Sequence, residues 1–206
     1  MYLLDHIGWM AGMFTAITGT IGEFLPGMAG ALAKYRYEVF VKALGWPLHC
    51  EEGIELDAFD RPDTVYVVAC DRDREILGCA RLLPTNGPYL LGEVFPHLVG
   101  VSSLPSSADI WELSRFAISQ PKGQVLTAAQ AWKNTVTLVR EVIDVARSKG
   151  ALRLIAFSAV GNERLLKRMG VNTRRISPPH LIDNQSIVPF WIEIDDQTTR
   201  ALCLAA

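Results

Sequence analysis

The sequence predicts an α/β fold: one mixed β-sheet with helices on its faces. Three observations predict it. Runs of alternating or continuous apolar residues rich in Val, Ile and aromatics take turns along the chain with runs of helical period. A length of 206 residues favours one domain, and no internal repeat or Pro/Gly/Ser linker divides it. Half the residues are apolar and a fifth charged, with only 16 Gly and 11 Pro, which excludes disordered and collagen-like chains.

The first element is a helical stretch over Phe24–Leu44, started or broken near Pro26, with Leu32, Tyr35, Val39 and Leu44 on one side. Thr64–Asp71 and Glu75–Leu83 are β-rich runs joined by the polar turn Asp71-Arg72-Asp73-Arg74, which predicts a hairpin. Asp109–Ile118 predicts another strand. The clearest helix is Leu126–Lys149, where Trp132, Val136, Val139, Ile143 and Ala146 recur at intervals of four and three with charged residues between them. Then follow a buried strand over Leu152–Ser158, a short helix over Asn162–Met169 ending at Gly170, and late strands over Val171–Ile176 and Ser186–Ile194.

Residues 7–22 carry no charge, but only Asp5 and His6 precede them, without Lys or Arg. Sixteen residues punctuated by Gly and Thr also fall short of the ~20 apolar residues of a membrane span. The expectation is a cytoplasmic chain that is neither exported nor inserted, with Met13 as an alternative start of translation. Cys50, Cys70, Cys79 and Cys203 form no C-x-x-C pair, and only His49 lies close to one of them. They are expected as reduced, apolar fillers, with no metal site. A net charge of −2 gives the chain as a whole no attraction to nucleic acid or anionic lipid.

Charge is nevertheless segregated. Residues 51–75 hold nine Asp/Glu against three Arg, a local −6, and residues 147–175 hold eight Lys/Arg against Glu163 alone, a local +7. Each run is either a solvated face or a surface for a partner of opposite charge. Charges also interrupt apolar strands: Arg81 within Gly78–Leu83, and Glu112 and Arg115 within Ile110–Phe116. Buried charges need partners, and Asp57 and Asp60 are the expected ones for Arg81 and Arg115. Glu112 and Arg115 are three apart, so a regular strand sends them to opposite faces. Either a bulge re-aims one of them or they serve different surroundings.

Four motifs stand in sequence: Arg36-x-x-x-Phe40-x-x-x-x-x-Trp46, Glu55-x-Asp57-x-x-Asp60, Gly78-Cys79-Ala80-Arg81-Leu82-Leu83-Pro84-Thr85 with the following Pro88-Tyr89-Leu90-Leu91, and Trp111-Glu112-Leu113-Ser114-Arg115-Phe116-Ala117. In these the chain resembles the acyl-homoserine-lactone synthases, the LuxI-type autoinducer synthases of bacterial quorum sensing. The similarity runs from about Tyr35 to the C-terminus and leaves out residues 1–30, a candidate N-terminal lid. The resemblance implies a single domain with a GNAT-like N-acyltransferase fold, its mixed sheet splayed and covered by helices on both faces. It also implies a reaction between S-adenosyl-L-methionine and an acyl thioester, usually an acyl-acyl carrier protein, giving an N-acyl-L-homoserine lactone and methylthioadenosine. Adenosylmethionine is then a substrate, and no cofactor is implied.

Within that resemblance each residue type has a task. The methionyl amine must lose a proton before it attacks the thioester, which makes Glu112 the candidate base with Ser114 as assistant. Arg81 and Arg115, braced by Asp57 and Asp60, would keep the pocket rigid for the intramolecular displacement that closes the lactone. Phe40, Trp46 and Phe116 offer aromatic faces to adenine and sulfonium, with core packing as the alternative, and Arg36 would order the lid. Phe157 and Ser158 are expected beside the acyl chain; a Ser that only bonds its own backbone is the alternative. Arg147, Lys149, Arg153, Lys167 and Arg168 are the candidates for docking an acidic carrier protein.

Two other readings compete. An ordinary GNAT enzyme using acyl-CoA normally carries a Q/R-x-x-G-x-G/A loop ahead of the long helix, and Ser119-Gln120-Pro121-Lys122-Gly123-Gln124 does not fit it. That favours a carrier protein over CoA as donor. A nucleic-acid or partner-binding module built on the basic run leaves the Asp57, Asp60, Arg81, Glu112, Arg115 set without a task.

Overall fold

The structure is a computed structural model and describes residues 14–100 and 103–204. Its strands are β1 (Thr15–Gly19), β2 (Val65–Cys70), β3 (Ile76–Pro84), β4 (Ile110–Ile118), β5 (Arg153–Ala159), β6 (Thr173–Arg175), β7 (His180–Ile182) and β8 (Gln185–Glu193). Its α-helices are α1 (Met28–Arg36), α2 (Leu90–Val94), α3 (Ala128–Ser148), α4 (Val160–Arg168) and α5 (Asp196–Ala201). The strands make one sheet in the order β1-β2-β3-β4-β5-β8-β6, with β7 also on β8. Every pairing is antiparallel except β4 with β5.

The predicted hairpin is β2–β3, and the predicted long helix is α3. Thr127 caps α3, its hydroxyl accepting from the Gln130 N–H while the Gln130 side chain reaches back to the Thr127 N–H. The buried stripe of α3 is wider than the 4-3 series: Leu138 and Val142 join Val139, Ile143 and Ala146. With Val65, Val67, Ala80, Leu82 and Leu154 from the sheet and Leu166 and Met169 from the α4 end, they fill the core on one face. Each fully buried Leu, Ile or Val contributes roughly 1.5–3 kcal/mol. The other face is covered by α1 with Leu32, by the turns that follow it with Phe40, and by α2 with Leu90 and Leu91.

Three expectations need correction. The stretch Phe24–Leu44 is not one regular helix: α1 ends at Arg36, and Tyr37–Ala43 continues in wider i→i+5 turns, a form that concentrates at functional sites. Part of the segment expected as a lid is sheet, since β1 pairs with β2 from Thr15↔Cys70 to Gly19↔Tyr66; residues 1–13 lie outside the described residues. Cys203 is exposed rather than a buried filler, whereas Cys70 and Cys79 are buried. Among the described residues no helix is long and apolar enough to cross a membrane.

Two irregularities shape the sheet around the site. β4 and β5 pair only over Ile110↔Arg153, Trp111↔Leu154 and Glu112↔Ile155, after which both strands run on unpaired with each other. The sheet therefore opens into a fork whose apex holds Glu112. Between β3 and β4 the register slips, so that Arg115 and Phe116 together oppose Ala80 between the pairs Arg81↔Ser114 and Cys79↔Ala117. This is a β-bulge, the first of the two arrangements that the Glu112–Arg115 spacing allows.

Candidate active site

The bulge decides which side chains meet. Arg115 sits at φ 49°, in the left-handed region that a non-glycine residue occupies at a cost of about 1–3 kcal/mol. Its extra residue shifts the alternation. Glu112, Ser114 and Arg115 all serve the face covered by α1 and α2, and Phe116 turns to the α3 core. Phe116 therefore does not join the aromatic face expected for an adenosyl group; the slip in register moves it through the sheet.

Three arginines and three carboxylates interlock on the α1 face. Arg36 donates from Nε to Glu55 at 2.5 Å and through both Nη atoms to Asp60 at 2.6 and 3.0 Å. Arg81 donates from Nη1 to Asp57 at 2.6 Å and Asp60 at 3.2 Å, and from Nε to the Ser114 hydroxyl at 3.0 Å. Arg115 donates from Nη2 to Glu55 and Asp57, each at 2.8 Å. Phe40 and Trp46 stack at 4.8 Å between centroids and carry the Arg115 guanidinium at 5.6 and 5.8 Å. Phe40 is core, at 1% exposure, while Trp46 at 37% still presents a face outward.

The network differs from the expected one in its membership. Arg36 is a buried brace between Glu55 and Asp60. Glu55 is the shared partner of Arg36 and Arg115, and Tyr66 donates its hydroxyl to Asp60 at 2.6 Å. Neither was named as a site residue, though Glu55 opens the acidic motif; Tyr66 carries no signal that a strand tyrosine of the core would lack. Burial alone would push the Asp60 carboxyl up, but the Arg36 hydrogen bonds and the charges of Arg36 and Arg81 outweigh it, holding the carboxyl well below the usual range. Glu55 is lowered in the same way, burial being overcome by Arg115 and Arg36. The Nη2 of Arg81 is buried and has no hydrogen-bond partner, which leaves one cationic donor of the cluster unused.

Glu112 stands beside this network rather than in it. Both its oxygens accept backbone N–H groups from the start of α2, Leu90 at 3.0 Å and Leu91 at 2.6 Å. That accounts for the Pro88-Tyr89-Leu90-Leu91 motif. Tyr89 anchors the turn by donating its hydroxyl to the Pro105 carbonyl, and Arg61 holds the Pro88 carbonyl at 2.5 Å. The expected pairs of Asp57 and Asp60 with Arg81, and of Asp57 with Arg115, are present, and Glu112 lies beside them on the same face. Ser114, the residue bonded to Arg81, lies about 7 Å from it along the strand. Burial raises the Glu112 carboxyl above its ordinary value, partly offset by the Leu91 and Leu90 amides and the charge of Arg81. A carboxyl so tuned suits proton transfer.

On the other side of the fork, Phe157 packs against Phe95 at 5.0 Å between centroids, and Ser158 only bonds the neighbouring Ala159 carbonyl at 3.4 Å. A cavity of about 150 Å³ opens between the end of β4 and the start of α3, lined by Ser119, Gln120, Asn134 and Thr135 among others. The basic run is partly spent on internal pairs. Lys167 and Arg175 both pair with the buried Glu163, Arg153 with Glu193 while lying over Trp191, and Arg147 with Asp144. Arg168 lies over Trp132, and Lys149 is exposed.

The chain is similar to known proteins over most of its length. The Autoinducer synthase family model matches residues 28–202. An acyl-homoserine-lactone synthase of Acinetobacter nosocomialis is 47% identical over 86% of this chain and 98% of its own. The crystal structure of TofI in a ternary complex with an inhibitor and MTA is 41% identical, with a TM-score of 0.81 over 92% of this chain and 97% of that one. The CoA-dependent acyl-homoserine lactone synthase BjaI, solved with SAM and isopentyl-CoA, is 27% identical at a TM-score of 0.79, covering 92% of this chain and 87% of that one. With the motifs lying inside the matched span and the fold shared over most of the chain, the chain belongs to the autoinducer synthase family.

Proposed function

We propose that the chain is an acyl-homoserine-lactone synthase that acylates the amine of S-adenosyl-L-methionine and then closes the lactone. The observation that carries this reading is the position of Glu112 at the apex of the fork between β4 and β5, on the face that also presents Arg81 and Ser114. In the first step the amine gives its proton to Glu112, directly or through one water, and its nitrogen attacks the thioester carbonyl. The C–S bond breaks, the nitrogen sheds its second proton to the departing sulfur, and the donor leaves as a thiol. In the second step the methionyl carboxylate displaces the sulfonium sulfur from its own carbon chain, so methylthioadenosine leaves without further proton transfer. That step needs a folded substrate more than an acid or base.

The surroundings support each part. The edge of β4 past Glu112 that faces β5 without pairing to it offers backbone groups to an extended thioester arm. Trp46 supplies an exposed aromatic face and the unused Arg81 Nη2 a buried donor for an anionic or carbonyl oxygen of the substrate. Phe157, Phe95, Ile155 and Ile187 belong to an apolar cluster on the Glu112 face that suits an acyl tail. The donor in this reading is an acyl-acyl carrier protein, drawn by the exposed positive charge of Lys149, Arg164, Arg168 and Arg174. Both substrates are cytoplasmic, and so is the enzyme.

The test is mass spectrometry of organic extracts from cells expressing the chain, followed by the purified protein with adenosylmethionine and either acyl-carrier protein or acyl-CoA. A lactone that forms faster from the carrier-linked donor is expected. No lactone from either donor would refute the reading, and a preference for CoA would refute the choice of donor.

A further inference from the structure

The bulge that aims Arg115 has a support of its own. A bulge leaves one residue out of the ladder, and here the carbonyl oxygen of Arg115 is met by a side chain: Cys79 of β3 directs Sγ to it at 3.1 Å. Cys79 is fully buried, packed in one cluster with Phe40, Tyr66 and Val68. It is also the last residue of β3 before the slip, paired with Ala117 while Arg81 pairs with Ser114. Gly78 is so close to the Ala117 carbonyl that an added Cβ would meet it at 2.9 Å.

We propose that Cys79 is a positioning residue of the active site, whose S–H holds the Arg115 carbonyl and so keeps β4 in the bulged form that turns the Arg115 guanidinium to Glu55 and Asp57. Burial raises the Cys79 thiol to about 12, so it remains a protonated donor at neutral pH. In an unbulged β4 the strand alternation would send Arg115 with Leu113 to the α3 face, and Glu55 and Asp57 would lose a shared cation. A serine at 79 retains a donor, and a valine fills the space without one. The chemistry of the site thus depends on a thiol that touches no substrate.

The proposal rests on the assignment of this site to adenosylmethionine, and its test separates the two. Three variants are compared: Cys79→Ser, Cys79→Ala and Cys79→Val. C79V and C79A are expected to raise the KM for adenosylmethionine about two- to fivefold, less than an ordinary hydrogen bond is worth because a thiol donates weakly. The KM for the acyl donor should stay within about twofold, and C79S should recover most of the loss. A crystal structure of C79V should show Arg115 at negative φ with its contact to Asp57 broken. A wild-type KM in C79V, a C79S no better than C79V, or an unchanged Arg115 in the C79V crystal would each overturn the proposal. If the wild-type protein forms no lactone, the functional assignment falls, and the Arg115 backbone in C79V still decides the role of Cys79.

Discussion

Arg36 and Glu55 face each other at 2.5 Å with both side chains 1% exposed, nineteen residues apart in the chain. A pair this deep is held by its geometry, because two desolvated charges repay their burial only when both are present. Glu55 also serves Arg115, so its loss strands two guanidinium groups at once. Glu55→Gln is expected to lower stability by about 3–5 kcal/mol in urea titrations. The exposed pair Lys42–Glu38 sets the contrast, since its removal should cost less than about 1 kcal/mol. Equal losses would mean that the buried network is not a stabilising feature.

The same carboxylates set an acid limit. Asp60 and Glu55 have folded-state pKa values below their ordinary ones, so below the ordinary value the unfolded chain binds protons that the folded chain does not. Their stabilisation is complete above the usual carboxylate range, about pH 4, and is lost progressively as pH falls through it toward the lowered values. Denaturation midpoints measured from pH 7 downward should fall steeply there in the wild type. Asp60→Asn should be less stable at neutral pH and should show a shallower acid dependence; parallel curves would remove Asp60 as a contributor.

Glu112→Gln should abolish lactone formation, by a factor of about 10²–10⁴, while far-UV circular dichroism stays that of the wild type. Because burial raises the Glu112 carboxyl, the wild-type kcat/KM should rise with pH through an inflection above the ordinary glutamate value of about 4.3. Wild-type turnover in the Gln variant would exclude Glu112 as the base.

Phe40 and Trp46 stack on one another but answer differently to truncation. Phe40→Ala empties a core position and should cost about 3–5 kcal/mol of stability. Trp46→Ala should leave the unfolding midpoint nearly unchanged and raise the KM for adenosylmethionine. A Trp46→Ala enzyme with unchanged kinetics would show that the exposed ring is not a binding face.

Charge reversal offers a test of the donor. Lys167 is a poor choice, since it neutralises the buried Glu163. Lys149→Glu combined with Arg168→Glu should raise the KM for a carrier-linked donor and leave that for adenosylmethionine unaltered, with the difference shrinking as salt is added. Equal changes for both substrates would refute docking at this surface.

The hairpin and the long helix were legible in the chain, because each is written in contacts a few residues apart, whereas the motif residues were picked out by their resemblance to a family. Even the bulge was one of the two arrangements left open by Glu112 and Arg115 standing three apart. A short apolar stretch such as Thr15–Gly19 was ambiguous for the opposite reason: it becomes a strand only by pairing with β2, and β7 only by pairing with β8.

Periodicity reports which face a residue takes, not what stands opposite it. The sharing of Glu55 between Arg36 and Arg115, the hydroxyl of Tyr66 on Asp60 and the passage of Phe116 to the α3 side all follow from register between strands and helices brought together from afar. So does the separation of Glu112 from the arginine cluster, which depends on where α2 begins. The sequence alone determined that buried charges existed and must be paired. Tertiary structure decided the pairs, because strand order and a single slipped residue fix which side chains come within reach.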